Sequence, residues 1–565
     1  MEPTGNKNKN RKFGPILPGK RDWPIFQLSR NRKRFIEGVI KESTVQVKHI
    51  TKNRNALIEE IEITLFKERL RIQQNPWKVD PRDELQFWEG IKSQLVTISG
   101  ENGNTNKDAQ IQHILRLIIK RYAYEIAGTF KPSSYRMARA LITFGFARLL
   151  NASRVKGFGS LWSKQFTLQD KINIHGEAEH LRHLAKKGTI VMVPTHFSNM
   201  DAVLVGWIIH TLGLPPFVYG ADLNLFNIGV LAYFMNSLGA YKVDRRKKNL
   251  LYMETLKTYS ISAIKKGCHS LFFPGGSRSR SGKIEKSLKP GLLGTTIEAQ
   301  RLNYMGNETQ QANKIFIVPV VFNYHFVLEA PSLIHEYLEL KGQERYYVEN
   351  DEFSNSYKII TFLIKFFTKG SDISVSIGKP MDILGNYVDE DGHSIDRQGR
   401  IIDARDYFIS NGKLTKDKQR DEEYTRMLGN AIVKEYHKIN RIFSSHLVAF
   451  IAFEMLKKKH PKLDLYNFLR LPEEDLSIDY QEFRTTMENV RTEALRLMKE
   501  DKVKIASHLY GDIDAVIEHG LMNVGMYHVR RPLLKNKNGD IVTEDLNTLY
   551  YYHNRLDGYG LKKFI

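Results

Sequence analysis

The segment that decides the fold is residues 189–204, TIVMVPTHFSNMDAVL. Its first six residues are mostly apolar and β-branched and end at a proline, which is typical of a buried strand. A polar turn and then helical spacing follow, so the segment predicts a strand that feeds the start of a helix. Similar short apolar runs occur between residues 171 and 378, with the sequences KINIHG, FVYG, AYKV, SLFFP, FIVPVVF and ISVSIG.

Helix-like stretches separate these runs, at Glu177–Lys187, Met200–Leu212, Asn224–Leu238 and Leu250–Lys266. Alternating strands and helices predict an α/β fold with a mixed, largely parallel central sheet and flanking helices, between helical N-terminal and C-terminal regions. We therefore predict four parts. They are a basic arm (1–55), a helical region (56–165), an α/β domain (166–385) and a hairpin and helical region (386–565).

Composition limits the function classes. The 565 residues suit two or three domains, and 42% hydrophobic residues exclude wholesale disorder. A single cysteine, Cys268, excludes an internal disulfide framework, a cysteine zinc site and an iron–sulfur cluster. The net charge of +22 predicts an anionic partner, which is nucleic acid, anionic lipid or a phosphorylated metabolite.

The sequence predicts neither a secretory signal nor a spanning helix. The N-terminus is polar and basic, and no uninterrupted apolar run reaches about 18 residues. If membranes matter, the protein lies on them. Residues 1–55 hold 14 Lys/Arg against 4 Asp/Glu, which suits either a solvated tail or an arm for anionic lipid. Arg136–Leu150 and Tyr357–Thr368 are further candidate contacts, and both also suit packed elements.

His196 and Asp201 stand five residues apart, directly after the predicted strand and at the start of the predicted helix. In α/β sheets this position exposes groups to ligands. A carboxylate beside an imidazole fixes its tautomer and stabilises its cation, which makes the imidazole a usable general base near neutral pH. The pair alone is a weak signal, because a capping aspartate and an unrelated histidine give the same spacing.

A glycine- and arginine-rich loop follows another predicted strand in residues 270–291, SLFFPGGSRSRSGKIEKSLKPG. Gly275 and Gly276 allow close backbone approach, and free amides there suit an oxyanion or a phosphate. Arg278 and Arg280 lie in the same loop, and guanidinium groups match phosphate oxygens. A basic surface loop or a nucleic-acid contact fits the same residues.

Two more segments accompany these. Residues 239–248, GAYKVDRRKK, place Arg245 and Arg246 after a short strand. Residues 316–322, FIVPVVF, place Pro319 inside a strand. An apolar strand with one proline needs no functional explanation, so this last segment indicates only fold.

In order, HFSNMD, GAYKVDR, FPGGSRSRSG and VPV resemble the glycerolipid acyltransferase superfamily. That family consists of membrane-associated enzymes that acylate glycerol phosphate and lysophosphatidate. Its blocks are HxxxxD, GxxxIxR, FPEGxRSR and a VP-containing strand. The resemblance covers about residues 170–330 and depends mainly on the first and third blocks. Long helical flanks and the sequence LYYYHNRLDGYG, residues 549–560, are most similar to the larger glycerol-3-phosphate acyltransferase branch.

The resemblance implies roles for single residues. His196 corresponds to the general base and Asp201 to its partner. The residues that we expect to bind substrate are Arg245, Gly276, Ser277, Arg278, Arg280 and Pro319. Backbone amides around residues 275–277, or those at the helix start after His196, are expected to stabilise an oxyanion. We expect neither a metal nor another cofactor.

Position 275 departs from the family pattern. The family has Glu between Pro and Gly in its third block, and this chain has Gly275. Glu285 lies ten residues further on, and nothing in the sequence places it at the site. The change predicts weaker acceptor binding, a different acceptor or a poor enzyme, and the sequence leaves these three outcomes open.

The function that the resemblance implies is fatty acyl transfer from a CoA or acyl-carrier thioester to a hydroxyl of glycerol 3-phosphate, in phospholipid biosynthesis. One alternative is an acyltransferase for lysophosphatidate or another lipid alcohol, and another is a non-catalytic lipid- or phosphate-binding relative. Charge alone suggests a nucleic-acid binder, and we expect no such partner, because zinc spacing and the aromatic RNA-binding signature are missing. The expected location is peripheral, on an anionic membrane surface at its cytoplasmic side.

Overall fold

The computed structural model describes residues 13–77, 79–100, 107–137, 140, 172–223, 238–306, 313–341 and 373–565. Its central sheet has seven strands in the order β1-β7-β6-β2-β5-β3-β4. Their bounds are β1 Ile172–Gly176, β2 Gly188–Pro194, β3 Val218–Asp222, β4 Ala240–Val243, β5 Ser270–Leu271, β6 Lys314–Tyr324 and β7 Ile373–Ile377. Each of the seven predicted strand segments therefore contributes one strand.

β2 lies at the centre of the sheet and is parallel to both neighbours, β6 and β5. β3 is parallel to β5 and β4, and β1 is parallel to β7. β6 and β7 pair in the antiparallel sense. This confirms the predicted mixed, largely parallel sheet. Because parallel strands end at the same edge, the turns that follow β2, β5 and β6 meet on one side of the molecule.

Helices precede the sheet in the described N-terminal part. They are α1 Pro24–Arg30, α2 Arg32–Thr51, α3 Arg54–Gln74, α4 Glu84–Gly100 and α5 Lys107–Ile126. α2 buries Phe35, Val39 and Val47, and this face packs on α5. The segment predicted as a basic arm thus contains two packed helices, and the four domain boundaries stay predictions.

Helices flank the sheet as predicted. They are α6 Ala178–Lys187, α7 Met200–Thr211, α8 Leu250–Lys265, α9 Pro290–Gly306 and α10 Ala330–Leu340. The predicted helix Asn224–Leu238 lies almost wholly outside the described residues, as do Tyr357–Thr368 and most of Arg136–Leu150. Among the described helices, none has both the length and the apolar character needed to cross a bilayer.

The C-terminal region begins with short hairpins. They are built from β8 Tyr387–Val388, β9 Ser394–Ile395, β10 Ile401–Ile402, β11 Ile409–Ser410 and β12 Lys413–Leu414. β8 pairs with β9 and β9 pairs with β10 in the antiparallel sense, and the connecting turns contain DEDG (389–392) and RQGR (397–400).

Helices follow these hairpins and pack against the sheet domain. They are α11 Lys418–Ile439, α12 Ser444–Lys459, α13 Leu465–Phe468, α14 Tyr480–Lys499, α15 Ile513–Asn523 and α16 Leu546–His553. One hydrophobic core runs from the sheet into these helices. The hydroxyl of Tyr436 donates to the carbonyl of Val193 at 2.8 Å, at the end of β2. The C-terminal helices therefore reach the strand edge at which β2 ends.

Candidate active site

The predicted histidine–aspartate pair forms in the turn between β2 and α7, which we call the His196 turn (residues 195–199). The N–H of Thr195 still donates to Val320 of β6 at 2.9 Å, and the chain then leaves the sheet. His196 Nδ1 lies 2.9 Å from Asp201 Oδ2. The Asp201 side chain is fully buried, whereas that of His196 is 14% exposed. The strand-to-helix transition thus brings a shielded carboxylate against an accessible imidazole.

Hydrogen bonds fix the state of Asp201. Its Oδ2 also accepts the backbone N–H groups of Phe197 at 2.6 Å and Ser198 at 2.9 Å. Its Oδ1 accepts the hydroxyl of Tyr324, whose pKa is raised well above its usual value by burial and by the Asp201 charge. These donors stabilise an ionised carboxylate, which can only accept. His196 therefore carries its proton on Nδ1 and keeps Nε2 available to take another.

The loop after β5, which we call the arginine loop (residues 274–283), contacts His196 directly. The imidazole stacks on Phe273, just before the loop, with ring centroids 4.0 Å apart and planes 21° apart. The N–H of Ser279 donates to the carbonyl of His196 at 2.7 Å. The ring plane and the backbone of His196 are thus both held from the arginine-loop side.

Glu329 joins the His196 turn to the arginine loop. This buried carboxylate precedes α10 and accepts the N–H of Asn199 at 2.8 Å and the hydroxyl of Ser198 at 3.1 Å. Arg278 Nη1 lies 3.4 Å from Glu329 Oε1. Burial raises the pKa of Glu329, and the Arg278 charge opposes that shift. Sequence reasoning missed this residue, because a glutamate at a helix start is ordinarily a cap.

The remaining arginine-loop residues lie beside this junction. Arg280 Nε is 2.7 Å from Glu336 Oε1 of α10, and both side chains are partly exposed. Gly276 has φ +80°, in the left-handed region that favours glycine, and the Lys289 side chain packs against it. Ser277, the next residue in the loop, is half-buried. Exposed ion pairs contribute little stability, so Arg280 can exchange Glu336 for another anionic partner.

Arg245 and Pro319 occupy different surroundings. Arg245 Nε pairs with Asp222 Oδ2 at 2.9 Å, beyond the end of edge strand β4. Three strand spacings separate β4 from β2, roughly 14 Å. Pro319 is buried in β6 opposite Val193, and its carbonyl accepts the N–H of Gly378 at 2.9 Å. Pro319 therefore supports the end of β2 from inside the sheet, and Arg245 faces the far edge.

The C-terminal segment reaches the same site. The Arg555 guanidinium lies 3.8 Å from the centroid of the Phe197 ring and donates to Asn323 Oδ1 at 2.7 Å. Burial lowers the pKa of Arg555 to about 10. Asn554 Nδ2 donates to the carbonyl of Ser281 at 2.9 Å. Residues that the sequence singled out only through family resemblance thus underlie both the His196 turn and the arginine loop.

Glu285, which the sequence could not place, lies against Gly275. A Cβ atom on Gly275 would be 2.8 Å from Glu285 Oε1. Burial raises the pKa of the Glu285 carboxyl to about 7, and the Asp201 charge adds to that shift. Arg555 and the backbone N–H of His196 oppose it. A carboxylate is therefore present beside position 275, although it comes from a different residue.

A histidine cluster behind the site is the described group best suited by composition to a metal ion. One ligand atom each of His325, His508 and His519 lies within 4.8 Å of the others. The N–H of Ser444 donates to His508 Nε2 at 3.0 Å, so the neutral ring carries its own proton on Nδ1. Both ring nitrogens of His508 are thus occupied, and a metal ligand needs a free lone pair. The three histidines therefore do not fit a metal centre.

Comparisons with known proteins found similarity in the segment that contains the candidate site. Residues 171–323 match the sequence profile of the family described as Acyltransferase. A glycerol-3-phosphate acyltransferase of Aeromonas hydrophila subsp. hydrophila is 30% identical over 271 residues, which are 48% of this chain and 29% of that protein. One from Pseudoalteromonas atlantica is 26% identical over 288 residues, 50% of this chain and 30% of that protein. The matched segment thus spans less than a third of either relative.

A solved structure is also similar in part. The crystal structure of the 1-acyl-sn-glycerophosphate acyltransferase of Thermotoga maritima has 13% sequence identity and a TM-score of 0.24, covering 56% of this chain and 95% of that chain. A TM-score this low supports no comparison of sites. The profile match extends from the start of β1 into β6 and includes the His196 turn and the arginine loop. Residues 171–323 of this chain are therefore similar to the acyltransferase family, and the similar segment contains both parts of the candidate site.

Proposed function

We propose that the protein transfers a fatty acyl group from a thioester to a hydroxyl of a glycerol-phosphate acceptor. The observation that carries this proposal is the link that Glu329 makes between the His196 turn and Arg278. A proton acceptor and a phosphate-binding cation are thereby held next to each other. Glycerol-3-phosphate acyltransferases among the relatives point to the same acceptor class.

In the proposed step, His196 Nε2 takes the proton of the acceptor hydroxyl as its oxygen attacks the thioester carbonyl carbon. A C–O ester bond forms, the C–S bond breaks, and His196 returns the proton to the departing thiolate. Asp201 stabilises the imidazolium that forms in between. General-base catalysis of this kind contributes about 10²- to 10⁴-fold. A thiol pKa of about 8.5 makes the thiolate a good leaving group, so a separate strong acid is unnecessary.

The developing oxyanion needs N–H donors that are not already used. The amides of Phe197 and Ser198 donate to Asp201, and that of Asn199 donates to Glu329. The helix start after His196 is therefore engaged. In residues 275–277 the N–H of Gly276 donates to the carbonyl of Phe273 at 3.0 Å, so we assign the oxyanion to the amides of Gly275 and Ser277. Donors in this position act where charge develops in the transition state.

The acceptor phosphate is assigned to Arg278 and Arg280, because both lie in the arginine loop next to the His196 turn. Charge-assisted hydrogen bonds from guanidinium groups to phosphate are short and directional. Arg245 contacts the same acceptor only if the substrate extends along the sheet edge. Of the three arginines, it therefore needs the longest substrate for its predicted role.

The test is a thiol-release assay of the full chain with long-chain acyl-CoA or acyl carrier thioester. Each donor is combined in turn with glycerol 3-phosphate, lysophosphatidate, a phosphate-free lipid alcohol and no acceptor. We expect release that depends on glycerol 3-phosphate. Preference for lysophosphatidate would shift the assignment to that acceptor. Absence of release with every pair, with glycerol 3-phosphate bound, would favour a non-catalytic relative.

We also propose peripheral attachment to an anionic membrane at its cytoplasmic side, which the lipid substrate and the net charge support. On α3 and α4, Phe66 is 67% exposed and Val96 is 62% exposed. Both line a groove whose charged residues are Arg69, Lys92 and Glu62. Exposed apolar side chains flanked by cations suit an interfacial contact. Flotation with anionic and with neutral vesicles tests this. Failure to bind either kind would contradict the proposal.

A further inference from the structure

Gly275 and Gly276 are glycines for different reasons. Gly276 has a left-handed backbone, which alone favours glycine. Gly275 does not, so its backbone suits other residues as well. The three atoms nearest to a Cβ at position 275 all belong to Glu285, which are Oε1 at 2.8 Å, Cγ at 3.2 Å and Cδ at 3.4 Å. The space that a side chain at position 275 would need is thus filled by one other side chain.

The Glu285 carboxylate lies beside Gly275 of the arginine loop, and its pKa responds to groups of the His196 turn. Burial and the Asp201 charge raise the pKa of this carboxyl, and the charge of Arg555 and the backbone N–H of His196 lower it. Its Oε2 is shielded from solvent and has no hydrogen-bond partner among the described residues. Leaving a buried carboxylate oxygen unpaired costs free energy, so the surrounding chain must hold the group in place.

The flanking contacts provide that restraint. Ile284 is buried next to Glu285 in the chain. Gly282 packs on the carbonyl of Tyr551, where a Cβ atom would come within 2.2 Å of the oxygen. The N–H of Lys289 donates to the carbonyl of Pro274 at 2.9 Å, which closes the segment between them. Glu285 is therefore fixed from both sides, and its carboxylate points back to the first turn of the arginine loop.

We propose that Glu285 is a positioning residue whose carboxylate, in the space left by Gly275, holds the His196 turn against the arginine loop. His196 is then restrained through its N–H by Glu285 and through its C=O by Ser279, two groups of the same segment. The catalytic consequence rests on the proposed acyl transfer. The residue sets the direction of Nε2 without touching the reacting atoms.

The test combines Glu285→Ala, Gly275→Glu and the double variant Gly275→Glu/Glu285→Ala in the full chain. We expect each single change to lower kcat by about 10²-fold with KM for glycerol 3-phosphate unchanged, because misplacement by about 1 Å has that effect. The double variant returns a carboxylate to the same space, so we expect its kcat to lie above both single variants. Gly291→Glu is the matched control, because nothing lies within 4 Å of a Cβ there.

Native kcat in Glu285→Ala, or a double variant no better than the product of the two single effects, would overturn the proposal. If Glu285→Ala does not fold, Glu285→Asp takes its place, since it keeps the charge and withdraws the carboxylate by one methylene. A lower kcat at an unchanged unfolding midpoint is then expected, and native kcat would count against the role.

An NMR measurement that needs no turnover tests the role of Glu285 separately from the proposed acyl transfer. In protein labelled at the histidine ring carbons, His196→Ala identifies the NMR signal of His196. We expect Glu285→Ala to shift this signal and Gly291→Glu to leave it in place. If the native protein transfers no acyl group but the signal shifts, only the proposed function fails. If transfer occurs and the signal does not move, the positioning role of Glu285 is wrong.

Discussion

Two clusters of charged side chains follow strand ends in this molecule, and they are built differently. After β4, Lys247 lies 2.6 Å from Glu125 and 3.7 Å from Glu84. Arg246 contacts both Asp244 and Asp80. In this cluster, each of these two cations has at least two carboxylate partners. They join the loop after β4 to the N-terminal helices.

The cluster after β2 is less completely paired. Arg555 contacts a carbonyl and an amide oxygen, and Glu285 Oε2 has no partner among the described residues. The pKa directions show the contrast. Burial lowers the pKa of Arg555 to about 10, whereas hydrogen bonds to Asp244 and Asp80 outweigh burial and raise the pKa of Arg246. We therefore propose that the mutually neutralised cluster after β4 serves structure and that the cluster after β2, with its unmatched charge, binds substrate.

The largest expected effect comes from removing the His196 imidazole from the cluster after β2. His196→Ala should lower kcat by about 10²- to 10⁴-fold, because Nε2 is the only assigned proton acceptor. The imidazole is partly exposed, so we expect the unfolding midpoint to stay near that of the native protein. Thiol release and thermal unfolding measure the two quantities. Turnover at the native rate would reject the assignment of His196.

Disrupting the cluster after β4 should lower the stability of the fold and leave catalysis unchanged. Lys247→Met removes the buried cation between Glu125 and Glu84, which keep Arg121 and Arg71 as partners. We therefore expect a loss of about 3 kcal/mol in the free energy of unfolding, the lower end of the range for breaking a buried ion pair. The kcat of the folded fraction should not change. Urea unfolding measures the loss. Lys248→Met, at the exposed neighbouring position, is the control. If Lys247→Met and Lys248→Met are equally stable, the cluster after β4 does not have the structural role that we assign to it.

The arginines that we propose to bind the acceptor phosphate should give a smaller effect. Arg278→Ala should raise KM for glycerol 3-phosphate by about ten- to a hundredfold, the range for losing a hydrogen bond to a charged group. Arg280→Ala should raise it less, because this side chain is more exposed. The KM values come from the same thiol-release assay. If Arg245→Ala raises KM as strongly as Arg278→Ala, the acceptor spans the sheet edge and Arg245 joins the phosphate site.

Acid should weaken the fold gradually. Burial lowers the pKa values of His269 and His508 to about 4 and those of His446 and His528 to about 3. Below about pH 6.5 the unfolded chain binds protons that these folded imidazoles do not, so stability falls as the pH drops towards 4. Each such group contributes at most about 1.4 kcal/mol per pH unit. Urea unfolding across this range measures the slope.

Glu285 changes the stability of the protein in the opposite direction as the pH falls. With a folded pKa of about 7, above its unfolded value, the folded state binds the proton first, and acidification from pH 7 to about 4.5 stabilises the protein through this group. Glu285→Gln removes that contribution, so its stability should fall more steeply with acid than that of the native chain. Parallel slopes for the two proteins would show that the Glu285 pKa is not raised.

The local patterns of the sequence predicted much of the architecture. Strand segments such as TIVMVP were identifiable because burial on both faces of a parallel sheet selects continuous apolar runs. His196 and Asp201 were identifiable because only five residues separate them across one strand-to-helix turn. Glu285 was not, since its approach to Gly275 depends on how the arginine loop folds back.

Local patterns in the chain were enough to predict the alternation of strands and helices, the mixed sheet and the two segments of the candidate site. The distant groups that complete this site, Glu329 and Tyr324 around the His196 turn and Arg555 beneath it, became visible only in the folded chain. The physical reason is that periodicity and turn chemistry act between near neighbours in the chain. Carboxylates and cations that meet at a strand edge are instead brought together by the packing of the whole core.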